Sequence, residues 1–300
     1  MSSAPLVPET RDLTGDDAVA MLRRTGWSKL LRDAFVRLRN ADGFSHARSL
    51  SYLTSLVAIQ ALIGLVGLAS VINKGGLSRV IDQTIRHTIP GPAGHVLTTA
   101  VTQANRNGAQ HHYGAVLIGL VGSIVTATSA MGQIERGLNR VYGIERDRPT
   151  RLKYARAFVS ALSVGTLAVF AFICLALGNN ITRVGMTSTV GESWSIFRWP
   201  LGVALIAAAV TVMLRWIPRR RQPHLSWLSV GSATSVLLWV ASTGALGLSF
   251  RLSSTFGSTY GPLAGMVALL LWSLLSSVSL FYGAAVAAQL EAIRAGATSQ

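Results

Sequence analysis

The chain has 300 residues, of which 50% are hydrophobic and 13% are charged, about half the charged fraction of an ordinary soluble domain. A formal net charge of +15 indicates an anionic partner, either nucleic acid or a membrane surface. The single cysteine, Cys174, excludes an intrachain disulfide and a cysteine-rich metal site.

The first 45 residues are expected to form a cytoplasmic tail and an amphipathic helix. Met1–Gly15 is polar and is predicted to be disordered. From Asp16 to Arg39, apolar residues recur every three or four positions, with Trp27 on the apolar face and basic residues on the flanks. Such a helix suits the headgroup layer of a bilayer, and it equally suits packing on the cytoplasmic ends of other helices.

Six apolar runs follow, within residues 46–290. The fourth is the shortest, and it spans only if Trp199 and Trp216 mark its two interfaces. Since backbone groups in lipid must be satisfied within the segment, the runs should be helices. We therefore predict an all-α fold, a polytopic bundle of six transmembrane helices. The predicted spans are Ser49–Ile72, Tyr113–Gln133, Ala157–Leu177, Trp199–Leu214, Leu225–Phe250 and Leu263–Ala288.

The basic residues are distributed unequally between the two sides of this bundle. Of the 27 Lys and Arg residues, 20 lie in the terminal segments and connections that six spans place on one side. Both termini, including the tail 291–300, are therefore expected on the cytoplasmic side of the membrane. Topology and anionic lipid headgroups then explain the basic surplus, and no nucleic acid partner is needed.

The longest outer connection, residues 73–112, contains two apolar stripes at helical spacing. The break Ile89-Pro90-Gly91-Pro92 separates them, which predicts a helical hairpin lying against the outer mouth of the bundle. The two stripes are Leu77, Val80, Ile81 and Ile85, then Val96, Leu97, Ala100 and Val101.

A tight turn joins the last two spans. Its glycines are spaced by four residues, and its proline opens the last helix, where a missing N–H is tolerated. The spacing favours close packing against a neighbouring element, although glycines that only form the turn are an equal alternative. The predicted turn and packing residues are Gly257, Tyr260, Gly261, Pro262 and Gly265.

Residue patterns typical of catalysis are missing from the chain. Metal-dependent hydrolysis needs clustered carboxylates or histidines, whereas half of the 12 acidic residues precede the first span and the six histidines are scattered. The sequence has no P-loop and no Gly-x-Ser-x-Gly elbow. We therefore expect no catalytic residue, no metal and no cofactor, and ribonuclease activity is disfavoured.

The end of the second span carries the candidate binding residues. If that helix continues, Glu135, Asn139 and Tyr142 share one face, while Arg136 and Arg140 share another. Such a cluster just inside the cytoplasmic interface could bind a polar lipid headgroup or latch neighbouring helices. An ordinary basic helix end is the alternative.

Three segments of the chain match motifs of a known family: Ser49–Leu56, the Asn-x-x-Tyr motif within Leu138–Gly143, and Tyr260–Gly265 followed by Leu271-Trp272. Together they resemble the YihY/virulence factor BrkB family of bacterial inner-membrane proteins. The chain departs from the family where it reads Val57–Gln60 in place of Phe-Pro, and Gly283-Ala284-Ala285 in place of Gly-Ala-Glu.

The resemblance implies six spanning helices and a role in the envelope, with transport or flipping of a lipid as the suggested activity. Membrane lipids with anionic cytoplasmic headgroups are the expected partners. A membrane scaffold without transport is the alternative, acting through the outer hairpin or the basic loop Arg146–Arg156. A homo-oligomer is left open.

Overall fold

The computed structural model describes residues 4–10, 13–71, 85, 91–108, 112–177, 188–252 and 263–296. The elements in these ranges are α-helices, which confirms the predicted all-α class. In chain order they are α1 (Gly15–Thr25), α2 (Trp27–Asn40), α3 (Gly43–Val71), α4 (Gly91–Gly108), α5 (His112–Val141), α6 (Thr150–Leu177), α7 (Ser188–Trp216), α8 (Leu225–Leu252) and α9 (Ala264–Arg294).

Within the described ranges, six helices, α3 and α5 to α9, are long and apolar enough to cross a membrane, which agrees with the predicted number of spans. The fourth span lies in α7, a helix of 29 residues with Pro200 inside it. At 1.5 Å per residue such a helix is about 44 Å long, more than the bilayer core requires. The predicted run from Trp199 to Leu214 is therefore part of a full-length spanning helix.

Two helix pairs approach closely through facing glycines. A Cβ atom added at Gly119 of α5 would lie 2.2 Å from the backbone nitrogen of Gly64 in α3. A Cβ atom at Gly283 of α9 would lie 2.3 Å from the carbonyl oxygen of Gly231 in α8. Small residues at such crossings allow backbones to approach and gain van der Waals contact, which drives helix association in lipid.

The amphipathic segment forms two helices because the chain turns at Gly26, where φ is +78°. The prediction of one helix across Asp16–Arg39 was wrong at this residue. The second helix, α2, packs on α9, with Leu30 and Ala34 buried and the Tyr282 hydroxyl donating to the Leu31 carbonyl at 2.9 Å. A position in the headgroup layer stays a prediction.

The segment before α1 is docked on the bundle. Ala4 and Val7 are each 2% exposed, and the Val7 amide donates to the Tyr142 carbonyl at 3.1 Å. The prediction that Met1–Gly15 is disordered was therefore wrong for residues 4–10. Irregular backbone can be ordered by polar contacts without any apolar periodicity in its sequence.

Of the predicted outer hairpin, the structure describes the second arm, which forms helix α4. Leu97 and Val101 of α4 are buried in a cluster with Ala268 and Leu269 of α9. Gly265 permits this contact, since a Cβ atom there would lie 2.8 Å from the carbonyl oxygen of Pro92. The stripe residues Leu77, Val80 and Ile81 and the turn residues Gly257, Tyr260, Gly261 and Pro262 lie outside the described residues.

Four segments meet at the opposite end of α9, and we call this the basic end: residues 4–10, 142–149, 217–224 and 289–296. Val7 contacts Tyr142, Arg148 donates to the Ile217 carbonyl at 2.7 Å, and Arg220 pairs with Glu291 at 2.6 Å. An even number of spans places the two terminal segments at the same end of the bundle, together with the connections after the second and fourth spans. The location of the basic end in the cytoplasm remains a prediction.

Candidate functional site: a central cavity beside a buried polar cluster

An apolar cavity of about 360 Å³ lies between the six spans, and every span contributes to its wall. Its lining is mostly Ala, Val, Leu, Ile and Met side chains, with Gly165 and Trp239 among them. The lining hydroxyls of Ser277 and Ser279 donate to backbone carbonyls of their own helix at 2.8 and 2.7 Å. The cavity therefore presents mostly hydrocarbon to anything inside it, with the Ser235 hydroxyl as a polar group in its wall that has no partner among the described residues.

Helix α5 leads from this cavity to the basic end. Met131 and Ile134 line the cavity, and the next residue, Glu135, is 2% exposed. The Glu135 carboxylate lies 3.2 Å from Nη1 of Arg148. Burial lowers the pKa of Arg148, and the adjacent carboxylate acts in the opposite direction. Arg148 also donates to the Pro218 carbonyl at 2.8 Å, so this ion pair ties α5 to the connection between α7 and α8.

One turn further along α5, Asn139 organises a second polar contact set. Its amide donates to Asp147 at 2.9 Å, and its carbonyl oxygen accepts the backbone N–H of Arg219 at 2.8 Å. Lys153 also donates to Asp147, at 2.7 Å. Burial acts to raise the pKa of Asp147, but the hydrogen bonds from Lys153 and Asn139 outweigh it and the pKa is lowered.

Tyr142 is completely buried beneath the N-terminal segment. The guanidinium of Arg220 stacks over its ring, 4.6 Å from the centroid, and pairs with the Glu291 carboxylate. Burial raises the pKa of Tyr142 to about 12, so its hydroxyl is neutral at physiological pH. Arg37 reaches the same region from α2 and donates to Gln289 at 2.7 Å.

The predicted site residues divide into two groups. Helix α5 continues to Val141, as the prediction required, and Glu135, Asn139 and Tyr142 are all buried at the basic end. The Arg136 side chain is 54% exposed and lies 3.5 Å from Asp147, and Arg140 is partly exposed. Headgroup binding by these five residues stays a prediction.

Sequence reasoning missed the partners of these residues. Five residues complete the buried contacts, and all of them lie far from α5 in sequence or in a connection: Arg37, Asp147, Arg148, Arg220 and Glu291. One signal was available, because Glu291 is the first acid after the uncharged run of the last span. It lies six residues beyond Ala285, the position where the family pattern has its acid.

The structure offers no metal site within the described ranges, since no group of three or more His, Cys, Asp or Glu side chains is placed to hold an ion there. The buried carboxylates of Glu135 and Glu291 are instead paired with arginines.

Comparison with known proteins decides the family. The Virulence factor BrkB family model matches residues 34–300. The chain belongs to the Virulence factor BrkB family. This confirms the resemblance drawn from the sequence motifs, and the match begins inside α2 and takes in all six spans.

Relatives within the BrkB family are similar at low identity. The ribonuclease-like protein YfkH of Bacillus subtilis is 23% identical over 273 residues, which is 87% of this chain and 94% of YfkH. The UPF0761 membrane protein RC1_0578 of Rhodospirillum centenum is 25% identical over 96% of this chain and 64% of its own length. A relative from Aromatoleum aromaticum is 28% identical over 81% of this chain and 59% of its own length.

The chain therefore spans less than two thirds of the last two relatives. No solved structure matches this BrkB family member.

Proposed function

We propose that this protein moves or flips a lipid or another amphiphile across the bacterial inner membrane, without covalent chemistry. The observation that carries the proposal is the apolar cavity of about 360 Å³ to whose wall all six spans contribute. Its mostly hydrocarbon lining matches an acyl chain or a similar apolar group, and the basic end begins at Tyr142, about two helical turns beyond the cavity-lining Ile134.

In this proposal the basic end faces the cytoplasm and meets the headgroup. Arg136 and Arg140 are the two predicted binding residues with exposed side-chain surface, so they are the ones able to reach a headgroup phosphate. Arginine suits this role because its planar guanidinium forms paired hydrogen bonds to phosphate oxygens. Glu135 and Asn139 would act through Arg148 and Asp147 by fixing the end of α5.

The scaffold alternative has less support from the described residues. In the basic loop Arg146–Arg156, Arg148 and Lys153 are engaged in internal contacts. The described arm of the outer hairpin, α4, buries Leu97 and Val101 against the bundle. Residues of both surfaces named for the scaffold therefore contact other parts of the same protein, and we favour transport.

The test is lipid movement in vesicles that contain the purified protein. Fluorescent phospholipid placed in one leaflet should become accessible in the other faster than in protein-free vesicles. Gly165→Phe projects a ring into the cavity from a glycine whose added Cβ meets no atom within 4 Å, so α6 tolerates the change. We expect this variant to slow lipid movement at least about tenfold, a barrier increase of about 1.4 kcal/mol.

The matched control is Gly244→Phe on α8. Gly244 is exposed, its added Cβ also meets no atom within 4 Å, and it does not line the cavity. It should leave the rate unchanged. Equal rates for the wild type, both variants and protein-free vesicles would overturn the proposal.

A further inference from the structure

Beneath residues 4–10 lies a buried cluster in which hydrogen-bond donors outnumber acceptors. Arg37 is 2% exposed, Gln222 is 6% exposed, and Tyr142 and Glu291 are fully buried. The Arg220 side chain is 2% exposed. Two guanidinium groups therefore face one carboxylate, which leaves one positive charge in excess among these side chains. Burial lowers the pKa of Arg37 only to about 10, so its charge persists at neutral pH.

Several of these donors have no hydrogen-bond acceptor among the residues that the structure describes. They are Nη2 of Arg37, Nε and Nη1 of Arg220, Nε2 of Gln222 and the Tyr142 hydroxyl. Two acceptors of the cluster, Oε1 of Gln222 and Oε2 of Glu291, also have no partner there, so the unpaired donors outnumber the unpaired acceptors by five to two. A buried polar group without a partner destabilises the folded protein, and more so when it is charged. The cluster thus suits a ligand that offers several acceptor oxygens and a negative charge.

The N-terminal segment provides some of the acceptors for these donors, in the form of neutral backbone carbonyl oxygens. Nη1 of Arg37 donates to the Pro5 carbonyl at 3.0 Å, and Nη2 of Arg220 donates to the Pro8 carbonyl at 3.1 Å. Both guanidinium groups therefore bind the same short stretch of irregular backbone, on either side of Val7. A phosphate oxygen is a stronger acceptor for a guanidinium than a peptide carbonyl, because both partners are charged.

We propose that Arg37 and Arg220, together with Tyr142 and Gln222, bind a phosphate group whose oxygens replace the carbonyls of Pro5 and Pro8 when residues 4–10 move aside. The segment is then a displaceable cover on a phosphate site at the basic end. This site is distinct from the exposed Arg136 and Arg140, and binding at it does not require that the protein transports anything. The phosphate can come from a lipid headgroup or from the free ion.

The experiment uses the full chain in nanodiscs and follows the backbone amides of residues 4–10 by hydrogen exchange. One arm adds inorganic phosphate to phosphatidylcholine discs, with sodium chloride at equal ionic strength as the blank. The other arm compares phosphatidylcholine discs with discs that contain phosphatidylglycerol. We expect faster exchange at Val7, whose amide bonds to Tyr142, in at least one arm. The arm that responds identifies the source of the phosphate.

Variants separate this site from general attraction of anions. Arg220→Gln should raise the ligand concentration needed for the same exchange response at least about tenfold, a loss of about 1.4 kcal/mol in binding free energy. Arg221→Gln is the matched control, since it removes the same charge from the adjacent, exposed side chain and should leave the response unchanged. Equal weakening by both variants would overturn the proposal, because binding would then follow net charge.

A further variant guards against loss of the fold in Arg220→Gln. Val7→Ser alters no side chain of the cluster, but it loosens the cover by removing apolar contact from a residue that is 2% exposed. Its response should occur at lower ligand concentration than that of the wild type. If neither phosphate source alters exchange in the wild type or in Val7→Ser, the proposal is wrong.

Discussion

Nη2 of Arg220 lies 2.6 Å from Oε1 of Glu291, and the two side chains are 2% and 0% exposed although 71 residues separate them in sequence. The pair joins the connection after α7 to the last turns of α9. Because Arg220 also stacks on Tyr142 and Thr10 donates to Glu291, one ion pair holds α5, α9 and the N-terminal segment together.

Glu291→Gln should destabilise the protein by about 3 kcal/mol, because it leaves a buried guanidinium without its counter-charge. The measurement is the free energy of unfolding in detergent. Glu9→Gln is the control, since Glu9 is exposed and its carboxamide can still accept the Arg221 amide. The double variant Arg220→Met/Glu291→Gln should lose less unfolding free energy than the sum of the losses in the two single variants. Strictly additive losses would show that the two side chains are not energetically coupled.

Gly283→Ala should separate α8 from α9. The added Cβ would lie 1.9 Å from the Ser235 hydroxyl oxygen and 2.3 Å from the Gly231 carbonyl oxygen, and the second atom belongs to the backbone and cannot rotate away. We expect a loss of about 1–3 kcal/mol in the free energy of unfolding, the usual cost of overpacking. Gly244→Ala, with no atom within 4 Å of the new methyl, should cause no loss. Equal stability of the two variants would contradict the crossing described.

Asp147 makes stability depend on pH in acid. Its pKa is lowered from 3.8 in the folded protein, so its ionised form favours folding. The contribution is complete above pH 3.8 and is lost as the pH falls through the lower folded value. The difference in unfolding free energy between the wild type and Asp147→Asn should therefore be constant at neutral pH and shrink below pH 3.8. A difference that does not vary over this range would assign the stabilisation to uncharged contacts.

The six spans could be predicted because the energetic cost of placing polar groups in lipid leaves long apolar runs in the sequence. The shared face of Glu135, Asn139 and Tyr142 followed from helical geometry in the same way. Their partners could not be predicted, since Arg220 and Glu291 are brought together by the packing of α8 on α9, and no local spacing relates them. The docking of residues 4–10 could not be predicted from a periodic pattern, because hydrogen bonds to backbone carbonyl oxygens hold the segment. Such bonds do not depend on the identity of the side chains.

Gly143→Ala tests how the N-terminal segment is held. Gly143 has φ +78°, and a Cβ atom there would lie 2.6 Å from the Leu6 Cα and 2.7 Å from the Ala4 carbonyl oxygen. Gly26 has the same φ of +78° with no atom within 4 Å of an added Cβ. Alanine at either position is strained because L side chains rarely adopt a φ of +78°, so Gly26→Ala is a control that adds strain without contact with the segment.

We expect Gly143→Ala to speed hydrogen exchange in residues 4–10 by at least about tenfold, since the new methyl group cannot fit while the segment is docked. Gly26→Ala should lower global stability through backbone strain and leave exchange in that segment close to the wild type. The pair thus distinguishes local displacement from global loss. If exchange in residues 4–10 rises equally in both variants, the segment opens only with the whole fold and is not a separate cover.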